Sequence, residues 1–158
     1  MNTPRKLLLA ALLPLAACGL SAQVLSRPTV GLELAKKIAD RAEAEAAKNK
    51  WTMVIVVVDS GGNLVYLERM DGTQLGSIEV AQAKAKTALE FKRPSKAFED
   101  QVAGGRTAIV SIRNVIAIEG GLPLVANGEI IGAIGVSGMK SDQDGVVAKA
   151  GTEVLGTP

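Results

Sequence analysis

The sequence predicts an α+β domain in which a five-stranded antiparallel sheet is flanked by helices. Two observations carry this prediction. Apolar or small residues recur at helical spacing in several segments, with charged residues on the opposite side. The β-branched and alternating runs between these segments are joined mainly by short turns, which is typical of hairpins rather than of parallel βαβ units.

Each element follows from a local pattern. The β-branched run from Trp51 to Val58 is apolar on both faces, as in a central strand. Ser77 is a residue type that caps helices, Pro94 ends the following helical segment, and 141–144 have the pattern of a capping box. The predicted order is a helix over 32–48, strands over 51–58 and 64–70, helices over 77–91 and 96–103, strands over 115–118, 122–126 and 129–136, and a helix over 141–155.

The most informative stretch is a predicted hairpin near the end of the chain. Asn127-Gly128 favours a tight turn between two apolar runs, because both residues tolerate positive φ. The second run contains Gly132 and Gly135, and glycine weakens a strand unless something needs the space. The two glycines therefore predict either packing or a bulge, or the close approach of a ligand, and both interpretations stay open here.

The first 22 residues have the layout of a secretory signal peptide, with two cations before an apolar run over 7–17 that is too short to span a membrane. Two cleavage sites are open. Leu15–Cys18 resembles a bacterial lipobox, which would lipidate Cys18 and tether the protein to a membrane, whereas the alternative cut follows Ala22. We expect a signal peptide over 1–22, a linker over 23–30 and one domain over 31–156, exported to the periplasm or the extracellular space.

Charge and composition argue against a nucleic-acid partner. The 158 residues contain 18 Lys and Arg and 16 Asp and Glu, and two of the cations lie in the predicted leader. The remaining chain is formally neutral and only 3 % of all residues are aromatic, so it lacks both excess cations and stacking rings. The stretch 84–113 is locally basic, with seven cations against three acids, and we interpret it as a solvated face.

The residue types that are missing narrow the chemistry. The chain has no histidine, and its single cysteine is Cys18. Zinc sites of the Cys/His type, Ser-His-Asp or Cys-His catalysis and haem ligation by a proximal histidine are therefore excluded. We predict no metal site and no catalytic residue.

Five motifs resemble the GlcG/HbpS-like family in the same order and over roughly 32–155. They are Asp59–Val65, Leu67–Gly72, Lys84–Ala88, Gly104-Gly105 and Glu119–Leu124. The family includes extracellular haem-binding proteins, a domain attached to some cobalamin adenosyltransferases and small proteins of glycolate-utilisation operons. The resemblance implies a profilin-like or PAS-like sheet with helices on both sides, and a homo-oligomer.

The resemblance also implies haem as the cofactor, and the missing histidine leaves methionine, tyrosine or a carboxylate to approach the iron. Met70 and Tyr66 lie on the same face of their predicted strand. Arg69 and Lys84 could pair with haem propionates or with a small carboxylate. Glu119 lies beside two glycines, where its charge would meet open backbone.

Each of these candidates has a structural alternative that stays open. Met70 could fill the core, and Tyr66 could pack with its hydroxyl hydrogen-bonded. The two cations could form ion pairs with Glu68, Glu79 or Glu119. Glu119 itself could be a turn residue facing water.

Two functions are therefore expected from the sequence. The first is an exported haem-binding accessory protein in haem or iron handling or in redox sensing, with Met70, Tyr66, Arg69, Lys84 and Glu119 as its site. The second is an enzyme or sensor subunit that binds a small carboxylate such as a 2-hydroxy acid. Enzymatic activity is left open, because the resemblance implies haem degradation for some family members whereas this chain has no histidine and no catalytic cysteine.

Overall fold

The computed structural model describes residues 25–156, so the predicted signal peptide and Cys18 lie outside the described residues. Four helices and four strands form within that range, together with two short 3-10 turns at 107–111 and 153–155. None of these helices is both long and apolar enough to cross a membrane. The elements are α1 (Leu32–Lys48), β1 (Val54–Asp59), β2 (Leu64–Arg69), α2 (Gly76–Glu90), α3 (Lys96–Ala103), β3 (Gly121–Ala126), β4 (Glu129–Ser137) and α4 (Ser141–Thr152).

The predicted fifth strand is wrong. Residues 115–118 have strand-like composition but no strand pairing, and side chains from neighbouring helical segments hold them instead. The Thr87 hydroxyl accepts the Ile116 N–H at 3.0 Å and donates to the Asn114 carbonyl, while the Ser95 hydroxyl donates to the Ile118 carbonyl at 2.7 Å. Because these hydroxyls satisfy the backbone locally, the segment runs to β3 as an irregular loop.

The sheet is antiparallel throughout, in the order β2-β1-β4-β3. β1 lies in the interior, and its residues Val54–Val58 are buried on both faces, as the apolar run predicts. Ile55 and Val57 face a core shared with α1 and α4, whereas Val54 and Val56 face α2. The sheet is therefore covered on both sides by helices.

The strand glycines serve packing of the backbone. A Cβ at Gly135 would overlap the Ala81 carbonyl of α2 and lie 2.6 Å from the Ala85 nitrogen. A Cβ at Gly132 would overlap the Val58 carbonyl of the adjacent strand. Both glycines thus allow a neighbouring backbone to approach closely, which decides the question that the sequence leaves open.

Two helix starts differ from the predicted capping. Ser77 does not cap α2; it is buried in the first turn, 3.3 Å from the Ser137 hydroxyl. At α4 the Lys140 N–H donates to the Gln143 side chain, so the box begins one residue earlier than expected. Asp144 is therefore not part of the box; its carboxylate accepts the Met139 N–H at 3.1 Å and lies in the interior.

Candidate functional site

The five site residues predicted from the sequence lie towards two different edges of the sheet. Tyr66, Arg69 and Met70 belong to β2 or follow it directly, at one edge. Glu119 precedes β3 at the other edge, and Lys84 projects from α2 towards the same side. Since three strand spacings of about 4.8 Å separate the edges, roughly 14 Å in all, one small ligand has no common point of contact with them.

At the β2 edge the candidates face opposite sides of the sheet. Tyr66 and Met70 are half-buried and pack against the core beneath α1, which is the structural alternative for both. Arg69 pairs in register with Val54, whose side chain faces α2. Arg69 is exposed, and it therefore presents its charge on the face away from Tyr66 and Met70.

Glu68 gives the Tyr66–Met70 side an acidic character. Burial raises the pKa of Glu68, the nearby Glu43 and Asp40 raise it further, and a hydrogen bond from Tyr66 opposes the rise. That bond runs from the Tyr66 hydroxyl to Oε2 at 3.1 Å, while Oε1 is buried with no hydrogen-bond partner in the described part of the chain. Burial and the same hydrogen bond raise the pKa of Tyr66, which disfavours the phenolate that iron would bind.

Lys84 has an interior partner. Its side chain is 1 % exposed, and its ammonium lies 2.6 Å from the carboxylate of Asp144, whose side chain is 2 % exposed. It also donates to the Val136 carbonyl at 3.1 Å. Burial raises the pKa of Asp144, and the contact with Lys84 opposes that rise. These contacts join α2, β4 and α4. The partner of Lys84 is therefore Asp144 and none of the three glutamates proposed from the sequence.

Glu119 lies against α4 and lines a small cavity. A Cβ at Gly145 would overlap the Glu119 carboxylate, so this glycine makes room for the side chain. The cavity has a volume of about 190 Å³ and is also lined by Lys96 and Lys149. Burial raises the pKa of Glu119, Lys96 lowers it, and neighbouring carboxylates, Glu99 first, raise it again.

Sequence reasoning missed a larger pair of cavities at the C-terminal end of α2. One has a volume of about 620 Å³ and the other about 350 Å³, and Lys92 lines both. Arg27 adds a second cation to the larger cavity and Arg93 to the smaller one. The available signal was the basic stretch 84–113, which we interpreted as a solvated face.

Comparison with known proteins assigns the family. Residues 30–153 match the family model described as haem degrading protein HbpS-like. The chain belongs to the HbpS-like family. Protein GlcG of Escherichia coli K12 is 43 % identical to this HbpS-like chain over 105 residues, covering 66 % of the chain and 78 % of GlcG. The resemblance that the five motifs predict is thus confirmed.

Solved structures agree with the fold. A double mutant of Streptomyces reticuli HbpS is 32 % identical, covers 94 % of this HbpS-like chain and 100 % of its own, and superposes with a TM-score of 0.79. The structure described as a PduOC:haem complex is 25 % identical, with coverage of 82 % and 97 % and a TM-score of 0.74. The α+β fold is therefore shared with HbpS over nearly its whole length.

Proposed function

We propose that this chain is an exported haem-binding accessory protein. The observation that carries the proposal is its membership of the HbpS-like family, supported by its structural likeness to the PduOC domain solved with haem. Export is proposed from the signal-peptide pattern of 1–22, and a role in haem or iron handling or in redox sensing from the family resemblance.

The described residues fit haem without histidine. A haem site needs an apolar slot, cations for two propionates and a donor near the iron. The 620 Å³ cavity combines Leu89 and Ile130 with the cations Arg27 and Lys92, and its oxygen donors include the carboxylates of Glu90 and Glu129. Haem bound there would supply redox chemistry, while the chain's residues bind it and shield its apolar surface from water.

Met70 and Arg69, both at the β2 edge, are the remaining candidates from the sequence. Met70 is half-buried and Arg69 is exposed on the opposite face of the sheet, so a ligand at this edge would meet one of them and not both. Tyr66 is less suited because burial raises its pKa and so disfavours the phenolate, and Lys84 because its ammonium pairs with Asp144. We retain Met70 as the candidate for an axial thioether and test it directly.

The test is a hemin titration of the purified protein followed by Soret absorbance. Haem binding predicts a saturable, shifted Soret band, and a spectrum that merely sums free hemin and protein would sink the proposal. Met70→Leu keeps the volume but removes the sulfur, and Tyr66→Phe removes the hydroxyl. If either residue ligates the iron, its variant shifts the band; the conservative Met139→Leu, at an exposed methionine, is the control.

The oligomeric state is also a proposal. β2 and β3 each pair with a neighbouring strand on one side within residues 25–156, which leaves two sheet edges for further contacts. Light scattering coupled to size-exclusion chromatography measures the mass, and a monomer at all concentrations would overturn this part of the proposal.

A second candidate function, the binding of a small carboxylate, is favoured by the cavity at Glu119. Its volume of about 190 Å³ is too small for haem, and Lys149 supplies a cation for an acid group beside Lys96, whose ammonium also pairs with Asp100 at 2.5 Å. Titration calorimetry against a panel of small 2-hydroxy acids tests it. Binding in this cavity predicts heat that Lys149→Gln reduces and Arg69→Ala leaves unchanged, and the absence of heat from every acid would rule it out.

A further inference from the structure

We infer that this chain holds its haem in a groove at the C-terminal end of α2, with the two propionates paired to Lys92 and Arg93. The α2-end groove is defined as the two cavities that share Lys92 in their linings. The inference rests on the proposed haem binding but assigns different residues from those that the sequence suggests.

The size and lining of the groove suit a large ligand that is apolar in the middle and anionic at one side. Cavities of about 620 and 350 Å³ both fall within the range of about 300–1,000 Å³ that small-molecule sites occupy. Pro28, Leu89 and Ile130 supply apolar surface to the larger cavity. Leu122, Pro123 and Leu155 supply it to the smaller one.

The cations of the groove have no ion-pair partner within the described residues. Six salt bridges form in that part of the chain, and none involves Arg27, Lys92 or Arg93. The smaller cavity is lined by two of these cations and by no acidic residue, whereas the larger one contains two carboxylates. This asymmetry favours the propionates on the side of Lys92 and Arg93.

Local structure fixes the two cations at the end of the helix. Lys92 has a φ of +53°, in the left-handed region, and its N–H bonds to the Leu89 carbonyl at 3.3 Å. The Arg93 N–H bonds to the Ala88 carbonyl at 3.2 Å, and its guanidinium lies 5.6 Å from the ring centre of Phe98. Arg93 donates a single Nε hydrogen bond, to a backbone carbonyl, which leaves its other donors for a carboxylate.

The opposite wall of the larger cavity is also fixed. Residues 60–62 line it, and the Asp59 carboxylate accepts hydrogen bonds from the N–H groups of Gly61 and Asn63 at 2.9 and 2.8 Å. These bonds make Asp59 a turn-forming residue and hold the loop in place. By contrast, none of the cavities described above is lined by Met70, Tyr66 or Arg69.

The experiment compares the hemin affinity of two double variants of the full chain. Lys92→Asn with Arg93→Gln removes both charges, and asparagine tolerates the left-handed backbone at position 92. Lys36→Gln with Lys37→Gln removes the same charge from α1, at residues that line neither cavity. We expect the first variant to bind hemin about tenfold more weakly, since charge-assisted contacts to propionates are lost, and the second to stay within about twofold of the wild type.

Hemin dimethyl ester provides the matching change on the ligand. If the propionates contact Lys92 and Arg93, esterification weakens binding to the wild type and has a much smaller effect on the groove variant, as in a double-mutant cycle. Equal hemin affinity of the groove variant and the wild type overturns this inference and leaves the proposed function standing. Absence of saturable binding to the wild type overturns both.

Discussion

Lys84 and Lys92 are eight residues apart on and just beyond the same helix, yet their surroundings differ completely. Lys84 is 1 % exposed, and its ammonium contacts a carboxylate and a carbonyl of other elements. Lys92 is exposed, has no ion-pair partner among the described residues and lines two cavities. Lys84, in one of the family motifs, therefore makes an internal structural contact, whereas Lys92 lies at the end of the helix, where we propose that the haem propionates bind.

The difference follows from what each lysine faces. Burying two charges costs several kcal/mol per ion, roughly, and the contact between Lys84 and Asp144 offsets that cost only because the pair is close and further hydrogen-bonded. An exposed cation beside apolar cavity walls keeps its hydration until an anionic ligand arrives. We therefore expect a substitution of Lys84 to lower the stability of the fold, and a substitution of Lys92 to weaken ligand binding instead.

The largest expected effect is the loss of the interior ion pair. Lys84→Met leaves the Asp144 carboxylate buried without a counter-ion, and such losses cost about 3–5 kcal/mol of the free energy of unfolding. Urea unfolding measures it. Combining Lys84→Met with Asp144→Asn removes the orphaned charge and should recover a large part of the loss. A single variant within about 1 kcal/mol of the wild type would contradict a structural role for Lys84.

A smaller loss of stability is expected at Gly135, where β4 packs against the backbone of α2. Gly135→Ala would place a Cβ against the Ala81 carbonyl, so the helix must move away, at a cost of about 1–3 kcal/mol. Gly76→Ala is the matched control, because a Cβ at Gly76 has nothing within 4 Å. Chemical denaturation of both variants decides the matter, and equal stabilities would argue against close docking of α2.

At the β2 edge, Glu68 is a half-buried carboxylate that forms no ion pair within residues 25–156. The pKa of Glu68 is raised, so its contribution to stability is present below the ordinary glutamate value of 4.5 and is lost as pH rises through the higher folded value. Glu68→Gln should remove that decline and raise stability at pH 7 by less than about 1 kcal/mol. Unfolding curves from pH 4 to 8 test this, and a variant less stable than the wild type at pH 7 speaks against it.

The smallest effect on stability is expected at Lys92. Lys92→Asn changes an exposed side chain at a left-handed position that asparagine tolerates, so the free energy of unfolding should stay within about 0.5 kcal/mol of the wild type. Thermal unfolding monitored by circular dichroism measures the change. A loss of stability similar to that of Lys84→Met would contradict the different roles given to the two lysines.

Local patterns in the sequence were sufficient for most of the fold. The helices over 32–48 and 96–103 have the predicted bounds, because their apolar spacing is regular and glycine ends the second one. The hairpin around Asn127-Gly128 also forms as predicted. The strand predicted over 115–118 does not form. The hydroxyls of Thr87 and Ser95, which are distant in sequence, hydrogen-bond to the backbone of this segment in place of a neighbouring strand.

The candidate site was harder to predict because its parts come from separate segments. The partner of Lys84 is 60 residues away, and nothing local distinguishes Asp144 from the other acids at the start of α4. The larger cavity brings together 26–28, 60–62, 89–92 and 128–130, and only the fold places these turns beside one another. Motifs identified the family, whereas the cavities required the three-dimensional arrangement.

The claim that Lys84 is structural and that the ligand binds beside Lys92 is tested most directly by NMR. Backbone amide shifts are mapped as zinc protoporphyrin is added to the protein. Zinc protoporphyrin keeps the propionates and is diamagnetic, so shifted amides mark its neighbourhood. We expect the largest shifts at 60–62, 89–93 and 128–130, with Lys84 and Asp144 nearly unchanged. Shifts concentrated at 66–70 or at 119–121, with the α2-end groove silent, would contradict it.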